Sequence, residues 1–352
     1  MTRRLVVGVV LVCLVLWGVV VSESMSRDLS VDVVQGFHVS NISRVVLVSW
    51  DGVRVARLND MLASGELGNL SAIIAEGRIT NVTIADHSVT TTAPGHAAML
   101  SGYGSSASGV VNNTCGISLP LGYSVFERLN ASVLGLATGS VWGKSTCYVP
   151  DSLLSNARQS IWWWGNFSLI GGKYSSSRAR AGGVANESLK FLSQYGNGSF
   201  FLFVHFTDPD YAGHIFSEGS AEYRAALVEA DGGLGIITEE LRTLGVYNET
   251  VIIITTDHGF EENGAGHTSG GVSNPDLSVL FVASNKGWAV AREGDRKETD
   301  VAATVYDLFN VNSSAFVPAL DGTSLAVLPG NFAVGLSPGW NLLSIPFSLN
   351  FA

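Results

Sequence analysis

The chain has 352 residues, 46% hydrophobic and 14% charged, with 40 glycines and a formal net charge of -10. These values exclude a disordered tail, a coiled coil and a collagen-like fibre, each of which needs more charge or a short Gly/Pro period. The 30 acidic residues outnumber the 20 basic ones, which disfavours a nucleic-acid binder built on clustered Lys and Arg.

At the N-terminus, Arg3 and Arg4 precede an uncharged apolar run from Leu5 to Val21 and the polar stretch Ser22-Glu23-Ser24. That order is expected of a secretory signal, and the run is also close to the length of a spanning helix. Residues 1–26 are therefore read as a signal peptide or an N-terminal membrane anchor. Ten Asn-x-Ser/Thr sequons follow, at Asn41, Asn69, Asn81, Asn112, Asn130, Asn166, Asn186, Asn197, Asn248 and Asn312. Chance alone predicts roughly three, so a glycosylated, extracellular or cell-surface protein is expected. Cys13 falls in the apolar run, which leaves Cys115 and Cys147 as a candidate disulfide pair in an oxidising compartment.

Arg44 to Trp50, Phe200 to Phe206 and Val251 to Thr256 are near-continuous hydrophobic runs, as expected for strands buried on both faces of a parallel sheet. Between the last two, Ala221 to Leu244 carries Leu227, Leu234, Ile237 and Leu241 at helical spacing, which predicts a crossover helix. The fold class is α/β, with a mostly parallel central sheet and helices on both faces. Residues 145–185, with Trp162 to Trp164 and Ser175 to Ser177, break this rhythm and are expected to be an inserted lid. The catalytic domain is expected to span 40–328.

Each predicted strand leads into acidic residues: Asp51 after the first, Asp208 and Asp210 after the second, Asp257 with His258 after the third. Ligand sites in open α/β sheets form at these carboxyl ends. His214 and His267 follow at short intervals. Asp51, Asp210, His214, Asp257, His258 and His267 thus offer nitrogen and oxygen ligands without thiolate, a set that suits zinc, with manganese or iron as alternatives. Two adjacent ions of this kind serve in-line phosphoryl displacement. The stretch Thr90-Thr91-Thr92-Ala93-Pro94-Gly95-His96 adds hydroxyls just before a predicted helix start, whose free amides favour an incoming anion.

Taken in order, Asp51 after VVLVSW, Thr92-Ala93-Pro94-Gly95-His96, Asp210-Tyr211-Ala212-Gly213-His214, Thr256-Asp257-His258-Gly259 and Gly266-His267 resemble the motifs of the alkaline phosphatase superfamily. The likeness is to its type I phosphodiesterase and nucleotide pyrophosphatase branch, over about residues 44 to 325. The resemblance implies that Asp210, His214 and His267 hold one zinc and that Asp51, Asp257 and His258 hold a second, to which Thr92 also binds. Thr92 would be the nucleophile, passing through a phospho-Thr intermediate. Asn113 would steady the phosphoryl oxygens together with the Ala93 amide. Ser108 stands where the family usually has His. A sugar on Asn112 would crowd this site, so that sequon is expected to be unmodified.

Lys144 and Trp142 are candidate substrate contacts, and the Trp162 to Trp164 run a candidate stacking surface or lid seal. Asp208 is read as a carboxylate that supports the ligand residues from behind or as a loop carboxylate, and His38, His87 and His205 as surface or packing residues. The leading expectation is an exported two-metal phosphodiesterase for a small phosphodiester or nucleotide, with no nucleic-acid partner. The alternatives are a phosphomonoesterase, a phospho-alcohol transferase on the same site, or a non-catalytic anion binder. Residues 333–352 read as a C-terminal β segment, either an edge strand of the main domain or, preferred, the start of a further module.

Overall fold

The computed structural model describes residues 42–85, 89–114, 118–144 and 179–327, together with the backbone of residues 159–160. The segment 1–26, the sequons at Asn41 and Asn166, His38, His87, Cys115, Cys147, Trp162 to Trp164, Ser175 to Ser177 and residues 333–352 lie outside the described residues. Among the described residues, no helix is long and apolar enough to cross a membrane.

Seven strands form one sheet: β1 (Arg44–Trp50), β2 (Arg78–Thr83), β3 (Ala137–Trp142), β4 (Gln159–Ser160), β5 (Phe200–Phe206), β6 (Thr250–Thr255) and β7 (Val279–Ser284). Their spatial order is β2-β7-β6-β1-β5-β3-β4. β1 pairs in parallel with β5 and β6, as β3 does with β5 and β4, whereas β7 runs antiparallel to β6 and β2. The sheet is therefore mostly parallel. β1 and β5 begin and end where the hydrophobic runs predict, and β6 lies one residue earlier than expected.

β1 shows why those runs are continuous. Val45 and Leu47 enter one core, while Val46, Val48 and Trp50 enter a second core on the opposite face. A strand with period-two side chains must be apolar at every position when both faces are covered. Helices α1 (Val55–Ala63), α2 (Gly68–Glu76), α5 (Ala181–Tyr195) and α7 (Ala221–Thr243) bury their apolar residues in the second core. Helices α3 (Thr92–Ser101), α4 (Val125–Ser132) and α8 (Asp300–Leu308) pack in the first. A further helix, α6 (Asp208–Phe216), directly follows β5. The predicted crossover helix is α7, started by Ser220, whose Oγ accepts the Tyr223 amide at 3.1 Å. Helix α5 begins at Ala181, inside the stretch expected as an insertion.

β3, with its sequence ATGSVW, lies close against α5: a Cβ on Gly139 would stand 2.6 Å from the Phe191 ring. Gly139→Ala must displace that ring within a packed core. It is expected to cost about 1–3 kcal/mol, measured as a lower urea midpoint at unchanged slope.

Candidate active site

β6, β1, β5 and β3 are neighbours in the sheet, so the residues beyond their carboxyl ends meet along one edge. The backbone fixes them there. The Asp51 amide donates to the Phe206 carbonyl at 2.9 Å, and the Asp210 amide donates to the Asp51 carbonyl at 3.0 Å. Gly52 then turns with φ +69°, so close to α6 that a Cβ would stand 2.8 Å from the Asp210 Cβ. Its amide donates to Asp257 Oδ1 at 3.1 Å. One dipeptide, Asp51-Gly52, thus joins the ends of three strands.

Five of the six expected metal-ligating residues fall among the described residues into two groups that share Asp210, namely Asp210, His214 and His267, and Asp51, Asp210 and His258, with Asp257 beside the second. His214 Nε2 and His267 Nε2 lie 3.3 and 3.5 Å from Asp210 Oδ1. Asp210 and His214 share one face of α6 because they are four residues apart. His258 Nε2 lies 3.5 Å from Asp51 Oδ1, 3.4 Å from Asp257 Oδ2 and 4.0 Å from Asp210 Oδ1.

Each histidine spends its other ring nitrogen on a backbone carbonyl. Nδ1 of His214 donates to Ala265 at 3.0 Å, that of His258 to Gly259 at 2.9 Å and that of His267 to Thr90 at 2.5 Å. The Thr90 hydroxyl also donates to the His267 carbonyl. A proton fixed on Nδ1 leaves Nε2 as the lone-pair nitrogen, the arrangement in which imidazole binds a metal. Nε2 of His214 and Nε2 of His267 face each other at 3.0 Å, a spacing bridged by a shared proton or by a cation, and the hydrogen bond to Asp210 raises the pKa of His214 above its ordinary value. Asp51 Oδ1, Asp257 Oδ2 and His258 Nε2 are buried and have no hydrogen-bond partner among the described residues. Converging nitrogen and oxygen atoms of this kind fit divalent cations.

The charge states agree with that fit. Burial, and then the charge of His258, lower the pKa of His267 to about 4, so the ring is neutral at neutral pH. Burial alone would raise Asp257, but the charges of His258 and His96 outweigh it and hold the carboxyl below its ordinary range. Burial opposes ionisation of Asp210 too, and Lys144 with His214 overcomes it.

Thr92 opens α3, and its side chain is buried. Thr92 Oγ1 accepts a hydrogen bond from Lys144 Nζ at 2.9 Å. The Ala93 amide donates to Asn113 Oδ1 at 2.8 Å. This corrects one expectation: the Ala93 amide is occupied by Asn113, and Nδ2 of Asn113 is the amide group left to meet an anion. Asn112, one residue away, is exposed and caps Thr114, whose amide reaches its Oδ1 at 3.0 Å. Lys144 is buried among the acids rather than solvated, with Nζ 2.6 Å from Asp51 Oδ2 and 2.8 Å from Asp210 Oδ2. Trp142 is 5% exposed and packs on Phe203, His96 and His205. It backs the site from the core and is no wall of an open pocket.

Two further residues belong to this edge. His205, expected to be a surface or packing residue, is fully buried and places Nε2 2.8 Å from Asp51 Oδ2. Burial lowers its pKa to about 4 against the pull of Asp51, so it is a neutral donor. His96 Nδ1 stands 3.3 Å from Asp257 Oδ2 and 2.9 Å from the Thr92 carbonyl, and its Nε2 is 3.0 Å from Ser49 Oγ. The signal for His205 was available: it is the one polar residue in FFLFVHF. Asp208 faces away from the cluster and accepts the Ala181 amide at 2.8 Å.

His205→Ala removes the bond that orients Asp51 and is expected to weaken divalent-cation affinity 10- to 100-fold, roughly, as measured by competition with a chromogenic chelator. Burial, and then Glu229, push the Asp208 carboxyl up to about 7. Its protonated form is favoured in the folded state, so the stability it confers is present at low pH and lost as pH rises through about 7. Asp208→Asn keeps an acceptor for the Ala181 amide and is expected to flatten the fall in melting temperature between about pH 4 and about pH 7.

Comparison with known proteins gives a consistent result. A family profile described as type I phosphodiesterase / nucleotide pyrophosphatase matches residues 45–116 and 125–274. Bis(5'-adenosyl)-triphosphatase enpp4 of Mus musculus is 26% identical over 236 residues, covering 63% of this chain and 48% of the relative. The chain therefore spans about half the length of that relative. GPI ethanolamine phosphate transferase 1 of Saccharomyces cerevisiae is 27% identical over 145 residues, covering 36% of this chain and 16% of the relative. The solved structure of murine ectonucleotide pyrophosphatase / phosphodiesterase 5 shares the fold with a TM-score of 0.56 at 14% identity, covering 80% of this chain and 97% of that one.

Proposed function

Because the chain belongs to the type I phosphodiesterase / nucleotide pyrophosphatase family of the alkaline phosphatase superfamily, we propose that it is an exported, metal-dependent phosphodiesterase acting on a small phosphodiester or nucleotide. One observation carries this reading. The buried hydroxyl of Thr92 is one side chain away from both ligand groups, through Lys144, which touches Thr92, Asp51 and Asp210 together.

Asp210, His214 and His267 would hold one cation, and Asp51, Asp257 and His258 a second, with zinc the best match to the donors and manganese or iron the alternatives. Such cations supply neutralisation of phosphate charge and a lowered pKa for a bound hydroxyl. Thr92 Oγ1 gives up its proton to solvent and bonds to phosphorus as the bond from phosphorus to the leaving alcohol breaks. The departing oxygen takes its proton from solvent. Asn113 Nδ2 donates to a non-bridging oxygen, its amide plane held by the Ala93 N–H. Water then attacks phosphorus, the bond to Thr92 breaks, and the hydroxyl is restored. His96, bonded to the Thr92 carbonyl, holds the residue that carries the covalent phosphate.

The similarity to a GPI ethanolamine phosphate transferase over 145 residues supports a second reading in which an alcohol takes the place of water in the second step. Product partition in the presence of an added alcohol separates transfer from hydrolysis. The N-terminal order of charge and apolar residues and the sequon excess support export and glycosylation.

The test is hydrolysis of bis-p-nitrophenyl phosphate against p-nitrophenyl phosphate. Chelation and Thr92→Ala are each expected to lower the diesterase rate by about 10³-fold or more, with the diester preferred over the monoester. Rates that survive both treatments overturn the assignment.

A further inference from the structure

Lys144 follows β3 by two residues, where close backbone contacts fix the course of the chain. The Gly143 amide donates to the His205 carbonyl at 3.0 Å, and the Gly143 carbonyl accepts from Ala179 at 2.7 Å. A Cβ on Gly143 would stand 2.9 Å from the His205 carbonyl oxygen, so only glycine lets β3 end this close to β5. The Lys144 side chain is 2% exposed, and its ammonium bridges Oδ2 of Asp51 to Oδ2 of Asp210. The histidines face the other oxygen, Oδ1, of the same two carboxylates. Lys144 and a cation held by those histidines therefore do not compete for the same oxygen atoms.

We propose that Lys144 is a built-in counter-ion of this centre: its ammonium balances the buried carboxylates when no metal is bound, and thereby sets how tightly the site takes divalent cations. The inference rests on the reading of the site as a metal centre. Asp51, Asp210 and Asp257 are each at most 1% exposed, and a buried charge left without a partner is strongly destabilising. Imidazoles also pair with Asp51 and Asp210, and these carry charge only when protonated. Lys144 places its ammonium between two of the three acids. The same charge repels an arriving dication at short range in a medium of low dielectric constant. Stability of the metal-free protein and restraint of metal affinity are thus two effects of one ammonium group.

The experiment compares the wild-type protein, Lys144→Met and Lys144→Met/Asp51→Asn, each in excess chelator and under zinc titration. Lys144→Met is expected to melt several degrees lower in chelator. It should bind zinc about tenfold more tightly by chelator competition, since removing one positive charge deepens the field at both cation positions. Asp51→Asn in the same chain removes one carboxylate charge and is expected to return the chelator melting temperature toward wild type. Loss of packing alone would not be repaired that way. If Lys144→Met does not accumulate without zinc, the double variant decides: recovery supports the proposal and equal failure overturns it. Zinc uptake by wild type and Lys144→Met with equal affinity overturns the proposal alone. No uptake by either protein overturns the metal-centre reading and the proposal with it.

Discussion

Three carboxylates, of Asp51, Asp210 and Asp257, are withdrawn from water at the same edge of one sheet, and their mutual repulsion constrains everything around them. In water each would be hydrated, but here the protein must supply the opposing charge and dipoles itself. It does so in layers. His205 and Lys144 hold Asp51, the Gly52 amide and His96 hold Asp257, and Lys144 with His214 holds Asp210. The acids keep their charge because so many donors point at them, and the oxygens left over are those aimed at His214, His258 and His267.

The support reaches into the sheet. Ser49, His205 and Thr255 lie in register across β1, β5 and β6, one polar row just below the strand ends. Beneath it the strands return to Val, Ile, Leu and Phe. The row is the boundary between a core that needs only packing and an edge that needs hydrogen bonds. The His96 and His205 rings meet there with centroids 4.6 Å apart, which links the supports of two different carboxylates.

Much of this was legible in the chain before any coordinates. β1 and β5 are apolar at nearly every position because both faces are covered, and a run such as RVVLVSW admits few other readings. The acids beyond them announce themselves by position, since a carboxylate after a buried strand lies where ligands bind. β3 was not legible: ATGSVW is short and small because Phe191 fills the space over Gly139, and a strand thinned by its neighbour carries no hydrophobic signature of its own. β7, VLFVAS, is short, and its antiparallel course is set by pairing with β6 and β2, which local composition does not encode. Lys144 and His205 follow the same logic. Their roles come from what stands opposite them across the sheet, and a single lysine or histidine in a linear string does not reveal its partner.

Asp51-Gly52 joins strands whose residues are 150 to 200 positions apart. Such a junction forms only when the ends of β1, β5 and β6 have all arrived, and closing those loops is the slow part of building a parallel sheet. The centre is therefore a late product of folding, and its appearance reports completion of the sheet. A partly folded chain could hold its two cores and still lack any working centre. Turnover is then a stricter gauge of nativeness in this molecule than helix content or compactness.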